Sequence, residues 1–279
     1  MHSFKIPLVS LLSFLFGCNA PDKSELFQKK DGSWYYRDEV IAGSDAQSFE
    51  ALTEHYAKDK NHVYYCDTYR SSQDYFTTKR NRIQIIERAE PSTFKYLKDG
   101  YARDKANMFF EGAFFAVKDI DSFQILDYSF AKDRISGYYM RVEIAGSDGG
   151  SFISLDNHYS KDKDRVYYSD IEPGNSNAPP AAKTIVLQGA VAGSFDIIDI
   201  NYAADAKHVY YKSNVLTDAV HDFQVLQYDY AKTKKRVYYR GTPISQADAP
   251  SFTILDTPND SADARDQYSL YNQGKKIKH

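Results

Sequence analysis

Five aspartates, Asp59, Asp104, Asp133, Asp162 and Asp205, each stand ten residues after a phenylalanine, a phase that could align carboxylates in a file for a cation. The local chemistry argues against metal. Asp162-Lys163-Asp164 lacks the further oxygen ligands, the glycine and the closing glutamate of an EF-hand loop, and no glycine-aspartate nonapeptide occurs. A Lys or Arg flanks each of the first four aspartates, which suits turn capping and surface pairing. The histidines His55, His62, His158, His208 and His221 do not form a compact ligand set. His55 and His158 share one phase of the repeat, His62 and His208 another, as variable surface positions would. No nucleophile elbow, phosphate loop or CxxC motif is present, and the scattered serines have no triad partners at recognisable spacing. The expectation is a non-enzyme with no metal and no cofactor.

The aspartates belong to a repeated motif, first seen as YAKDKNHVYY from Tyr56 to Tyr65. Its copies read ARDKANMFF (Ala102 to Phe110), AKDRISGYY (Ala131 to Tyr139), SKDKDRVYY (Ser160 to Tyr168), AADAKHVYY (Ala203 to Tyr211) and AKTKKRVYY (Ala231 to Tyr239). A Ser-Phe or near equivalent lies fifteen residues ahead of the first aromatic of each closing pair, from Phe49 to Tyr64 through Phe223 to Tyr238. This pattern resembles the bacterial DKNYY family over nearly all of the chain after residue 30. The resemblance implies a functionally uncharacterised family, many of whose members look like lipoproteins, and it supplies no catalytic residue. Thr233 in place of the Asp, Ala206 in place of the Lys, and Phe109-Phe110 in place of the tyrosines depart from the pattern. A function that needs the Asp in every copy does not fit them.

The N-terminus carries a processing signature. Lys5 precedes an apolar run from Ile6 to Phe16, too short to span a bilayer and of the length of a secretory core. Leu15-Phe16-Gly17-Cys18 looks like a lipobox, so residues 1–17 read as a leader, Cys18 as the lipidated first residue, and 18–30 as a tether. Asn19 is not the Asp that commonly marks inner-membrane retention, which points to the outer membrane and its periplasmic face. The implied partners are the membrane, through the lipid at Cys18, and a protein in the envelope. Nucleic acid is excluded by a net charge of -3 and by the lack of a basic run other than Lys275 to Lys278. Cys66 is the other cysteine of the two, so with Cys18 acylated no internal disulfide can form, and it reads as a small apolar filler.

The elements that must position these residues are short strands. Successive landmark phenylalanines lie about 29 residues apart, the period of a stacked array. Two intervals are longer, with insertions near 66–82 and 169–182. Phe-x-x-Leu, Tyr-Ala-Lys and Val-Tyr-Tyr each predict a strand, a further short strand follows the Tyr pair, and Asp-Lys-Asn is turn chemistry. No window sustains an apolar helical period, so residues 31–279 are expected to form one all-β repeat domain, an open solenoid-like stack in preference to a closed propeller. The last copy is degenerate, with Tyr268 read as its aromatic and a capping role expected.

Two surfaces follow. Alternation along a strand sends one Tyr of each pair inward and one outward, giving ladders through Tyr64, Tyr65, Tyr138, Tyr139, Tyr167, Tyr168, Tyr210, Tyr211, Tyr238 and Tyr239. An exposed outer ladder would suit sugar rings, whereas two packed ladders would be architecture with hydroxyls bonded to the repeating Asp or Lys. The first insertion holds Tyr69, Arg70, Tyr75, Phe76, Arg80 and Arg82, the Tyr and Arg mixture of interface hot spots, in a loop that breaks the repeat. The expected function is a lipid-anchored binder of a protein partner, with toxin immunity as its specific form. Cell-wall or carbohydrate binding through the ladder, and a structural envelope role without a discrete ligand, are the alternatives.

Overall fold

The computed structural model describes residues 23–70, 79–127, 129–174, 180–259 and 261–277. These residues form eight small antiparallel sheets, none closed into a barrel. One short helical turn, Lys23–Leu26, precedes them, and three single 3-10 turns lie between strands. The first sheet has three strands, Phe27–Lys30, Ser33–Tyr36 and Glu39–Val40, and the other seven have four, each in chain order. The protein is therefore an all-β array of repeats. It divides into two compact units, one ending at Phe114 and the other starting at Phe115.

Each repeat uses its sequence in the same register. In the sheet Gln124–Ile125, Phe130–Lys132, Gly137–Tyr139, Val142–Glu143, Phe130 pairs with Tyr139, Ala131 with Tyr138 and Lys132 with Gly137. The same pairing recurs as Tyr56 with Tyr65, Tyr159 with Tyr168, Tyr202 with Tyr211 and Tyr230 with Tyr239. Between the second and third strands the Asp makes the turn. Between the third and fourth, two consecutive left-handed residues close the hairpin, as with Arg240 (φ 48°) and Gly241 (φ 72°), matching the right-handed twist of the strands.

Within each unit the core runs from one sheet to the next. Tyr56, Val63 and Tyr65 pack with Ile86, Phe94, Ala102 and Phe109 of the following repeat. Tyr159, Val166 and Tyr168 do the same with Leu187, Phe195, Ala203 and Tyr210. The second-strand lysine adds a polar tie. Lys161 Nζ donates to the carbonyls of Ala192 and Phe195 at 3.0 and 2.8 Å, and Lys132 and Lys232 reach Phe152 and Phe252 at 3.0 and 2.8 Å. The second-strand Tyr also reaches forward: the Tyr56 hydroxyl donates to the Gly100 carbonyl and accepts the Gly112 N–H, both at 2.9 Å. A small sheet buries too little apolar surface alone, so these contacts are what make the repeat stable.

Three expectations need correction. The segment read as a tether already contributes to the first sheet: Phe27–Lys30 pairs with Ser33–Tyr36, and Leu26 and Phe27 are buried, because they pack into one core cluster with Tyr36, Ile41 and Tyr64. The described ends of the insertions do not leave the repeat as loops. They lengthen the third and fourth strands into hairpins, Val63–Arg70 with Lys79–Ile85 and Val166–Glu172 with Ala181–Val186, since continuing an existing ladder satisfies the inserted backbone. In the last repeat Tyr271, fully buried, takes the place assigned to Tyr268, which is 70 % exposed. Four extra residues in the hairpin of Thr253–Asn259 and Ala262–Arg265 shift the motif, and Asp266 is its aspartate.

Candidate functional site

The repeating aspartates are buried, and each builds a turn. Asp162 Oδ1 accepts the N–H groups of Asp164 and Arg165, both at 2.8 Å. Its Oδ2 accepts the Asp148 N–H at 2.9 Å and the Tyr167 hydroxyl at 2.7 Å. Four donors fill the four acceptor sites of a carboxylate, leaving none for a cation. The pattern repeats at Asp59 with Tyr64, Asp133 with Tyr138, Asp205 with Tyr210 and Asp266 with Tyr271. Burial alone would raise these carboxyls, yet the hydrogen bonds outweigh it and hold all of them below the usual carboxylate range. The serine of the Ser-Phe landmark caps the same turn: Ser48, Ser122, Ser151 and Ser194 accept N–H groups from Lys60, Arg134, Lys163 and Ala206 at 2.8 to 3.0 Å. Its phenylalanine packs on the first Tyr of the pair, as Phe195 does on Tyr210 with ring centroids 5.4 Å apart. The constant fifteen-residue interval is thus the distance between two partners of one turn.

The tyrosine ladders are both covered. Tyr64, Tyr138, Tyr167, Tyr210 and Tyr238 are at most 1 % exposed. The second members, Tyr65, Tyr139 and Tyr168, are buried, while Tyr211 and Tyr239 are half-buried. Each lies against the second-strand aromatic opposite it, with centroids 5.0 to 5.1 Å apart. Of the two readings of the ladder, the packed one is observed and not an exposed outward file, because neighbouring repeats pack on both faces of the third strand.

Two of the histidines and Cys66 also have structural roles. His55 and His158 place Nδ1 2.8 and 3.0 Å from the carbonyl oxygens of Cys66 and Ser169, which explains their shared phase. Cys66 is fully buried, and burial pushes its thiol up to about 12, far from a reactive thiolate. Among the described residues no three His, Cys, Asp or Glu side chains converge as a metal-binding group. Cys18 lies outside the described residues, as do Tyr75 and Phe76.

The first hairpin extension is where exposed chemistry gathers. Five cross-strand pairs, from Cys66 with Ile83 to Arg70 with Lys79, carry it beyond the two pairs of an ordinary repeat. Tyr69 pairs with Arg80 and is 44 % exposed. Arg82 is locked to Asp67, with Nε donating at 2.8 Å, so it stiffens the hairpin. A cleft of about 670 Å³ runs alongside, lined by Tyr69, Lys79, Arg80 and Asn81 on the hairpin and by Arg37, Asp38 and Glu39 from the turn of the first sheet. Asn81 Nδ2 donates to Asp38 Oδ1 at 2.9 Å and ties the two walls. The structure brings Tyr69 and Arg80 together and sets Arg82 apart from them as a structural residue. The contribution of Arg37, Asp38 and Glu39 was missed in the sequence. They lie some forty residues upstream with no motif of their own, and only the left-handed turn at Arg37 (φ 57°) puts them there.

The family model of the DKNYY family matches residues 27–171 and 230–279. No curated protein and no solved structure matches the chain.

Proposed function

Since the chain belongs to the DKNYY family, whose motif serves here as a buried turn, we propose that function lies outside the motif, in the first hairpin extension as a docking surface for a protein partner. The observation that carries this reading is the pairing of exposed Tyr69 with Arg80 above a cleft of mixed charge. Tyr and Arg on a stiff, projecting element give large contact area at low entropic cost, and the rim charges of Arg37, Asp38 and Glu39 set orientation. The protein acts without catalysis. It is held by lipid at Cys18 on the periplasmic face of the outer membrane, where neutralising an incoming toxin is a task suited to a small anchored binder. Several acyl chains supply about 0.8 kcal/mol per buried methylene, enough for stable anchorage. Among the described residues no helix is long and apolar enough to cross a membrane.

The test is affinity capture with the protein from Asn19 onward as bait against envelope and secreted fractions. A Tyr69→Ala/Arg80→Ala variant and a deletion of residues 67–81 serve as controls. One captured protein, lost in both controls, supports the reading. Equal capture by bait and controls, or retention on isolated cell wall instead, sinks it.

A further inference from the structure

The turn at Thr233 lacks what its sister turns contain. Six turns hold an aspartate, at positions 59, 104, 133, 162, 205 and 266, and in each one Oδ2 accepts a backbone N–H from the segment ahead of the repeat. Thr233 keeps half of this arrangement: its Oγ1 accepts the N–H groups of Lys235 and Arg236 at 3.2 and 3.1 Å, as Oδ1 does elsewhere. Nothing replaces Oδ2. The Ala219 N–H, fourteen residues upstream, turns to Thr217 Oγ1 at 3.2 Å. Tyr238, five residues downstream where five sister turns have a phenol bonded to carboxylate, is 1 % exposed, and its hydroxyl has no partner among the described residues.

Tyr238 is one of the residues lining a cleft of about 460 Å³, together with Thr233, Lys235, Arg236 and Asp218, and its hydroxyl lies buried beneath that lining. Lys235 and Arg236 are exposed at its lip, and Asp222, which shares the lining, is engaged by the Lys234 N–H at 3.0 Å. A buried O–H without an acceptor is costly, and the missing acceptor has a known shape, one carboxylate oxygen. We propose that this cleft binds a carboxylate, one oxygen accepting the Tyr238 O–H where Oδ2 stands in the sister turns, with Lys235 and Arg236 neutralising its charge. A cation would leave the hydroxyl proton still unpaired. The carboxylate can come from a small free acid or from a peptide C-terminus, and the chemistry recognised is the same.

The experiment is a titration of the isotope-labelled mature protein with sodium acetate, followed through the backbone amide resonances of residues 233–238. Sodium chloride at equal ionic strength and calcium chloride are the controls. The expected result is a saturable shift with acetate alone. Tyr238→Phe removes an unpartnered hydroxyl, so it folds normally, and it should weaken binding by roughly tenfold, the loss of one hydrogen bond to a charged group. Thr233→Asp supplies the carboxylate covalently and should abolish the response. N-acetylglycine should bind and its amide should not; tighter binding than acetate identifies a peptide end as the source, and equal binding a small acid. No saturable shift, a shift unchanged in Tyr238→Phe, or a response to calcium alone overturns the proposal, as does a crystal structure grown in acetate with only a water beside Tyr238.

Discussion

The Tyr167 hydroxyl donates to Asp162 Oδ2 at 2.7 Å inside a turn where that carboxylate also takes three backbone N–H groups. The pair is the same in five repeats, and it converts a motif that could be read as chemistry into one that builds the fold. Asp162→Asn keeps one acceptor oxygen but turns an amide N–H₂ toward two donors. It should cost about 2–3 kcal/mol, against about 1 kcal/mol for Tyr167→Phe. Urea unfolding of the two variants measures this; equal stabilities would show that the carboxylate is not the organising group.

The repeat with Phe109 offers a natural control. Phe109 has no hydroxyl to give Asp104, and Asn107 Nδ2 approaches both carboxylate oxygens instead, at 3.2 and 3.1 Å. Asn107→Ala should destabilise by about 1–2 kcal/mol, and adding Phe109→Tyr should recover most of the loss. If the second substitution gives no recovery, the amide and the phenol are not interchangeable donors.

Stability should fall at both ends of the pH range. The carboxyls of Asp59, Asp104, Asp133, Asp162, Asp205 and Asp266 are depressed on folding, because hydrogen bonds outweigh burial. The unfolded chain therefore binds protons first, and their contribution is complete above about pH 5 and lost as pH falls through about 3.9 and below. Burial, and then the adjacent carboxylate, raises Tyr64, Tyr138, Tyr167 and Tyr210, and pushes Tyr271 up to about 12. That contribution is present below about pH 10 and lost as pH rises beyond it. Urea midpoints should be level between about pH 5 and 9 and drop outside; a midpoint that rises between pH 5 and 3 contradicts the turn.

Gly241 separates strain from contact. A methyl group there would lie 2.3 Å from the Tyr211 ring, at φ +72°, whereas at Gly189, φ +79°, it would meet nothing within 4 Å. Gly241→Ala should cost about 2–4 kcal/mol and Gly189→Ala about 1 kcal/mol, the difference being the packing of one repeat's turn onto another's tyrosine. Thermal unfolding of the two variants side by side measures it, and equal losses would remove the contact.

The sequence by itself determined the all-β class, the repeat, its four strands and its turn, because each depends on residues close together in the chain: Asp with the N–H groups two and three ahead, Tyr five ahead, Ser eleven behind. It also held the insertions, as breaks in the period. Tertiary structure decided what could not be local. Alternation along a strand names two faces for Tyr64 and Tyr65 but does not say that neighbouring sheets cover both, and this removes the ladder as a surface. It extended the insertions as hairpins, since an existing ladder satisfies new backbone more readily than a loop does. Placing Tyr69 and Arg80 beside Arg37, Asp38 and Glu39 required packing two sheets together. So did exposing the loss at Thr233, which in the sequence is one substitution among several and in the fold is a tyrosine hydroxyl with no acceptor among the described residues.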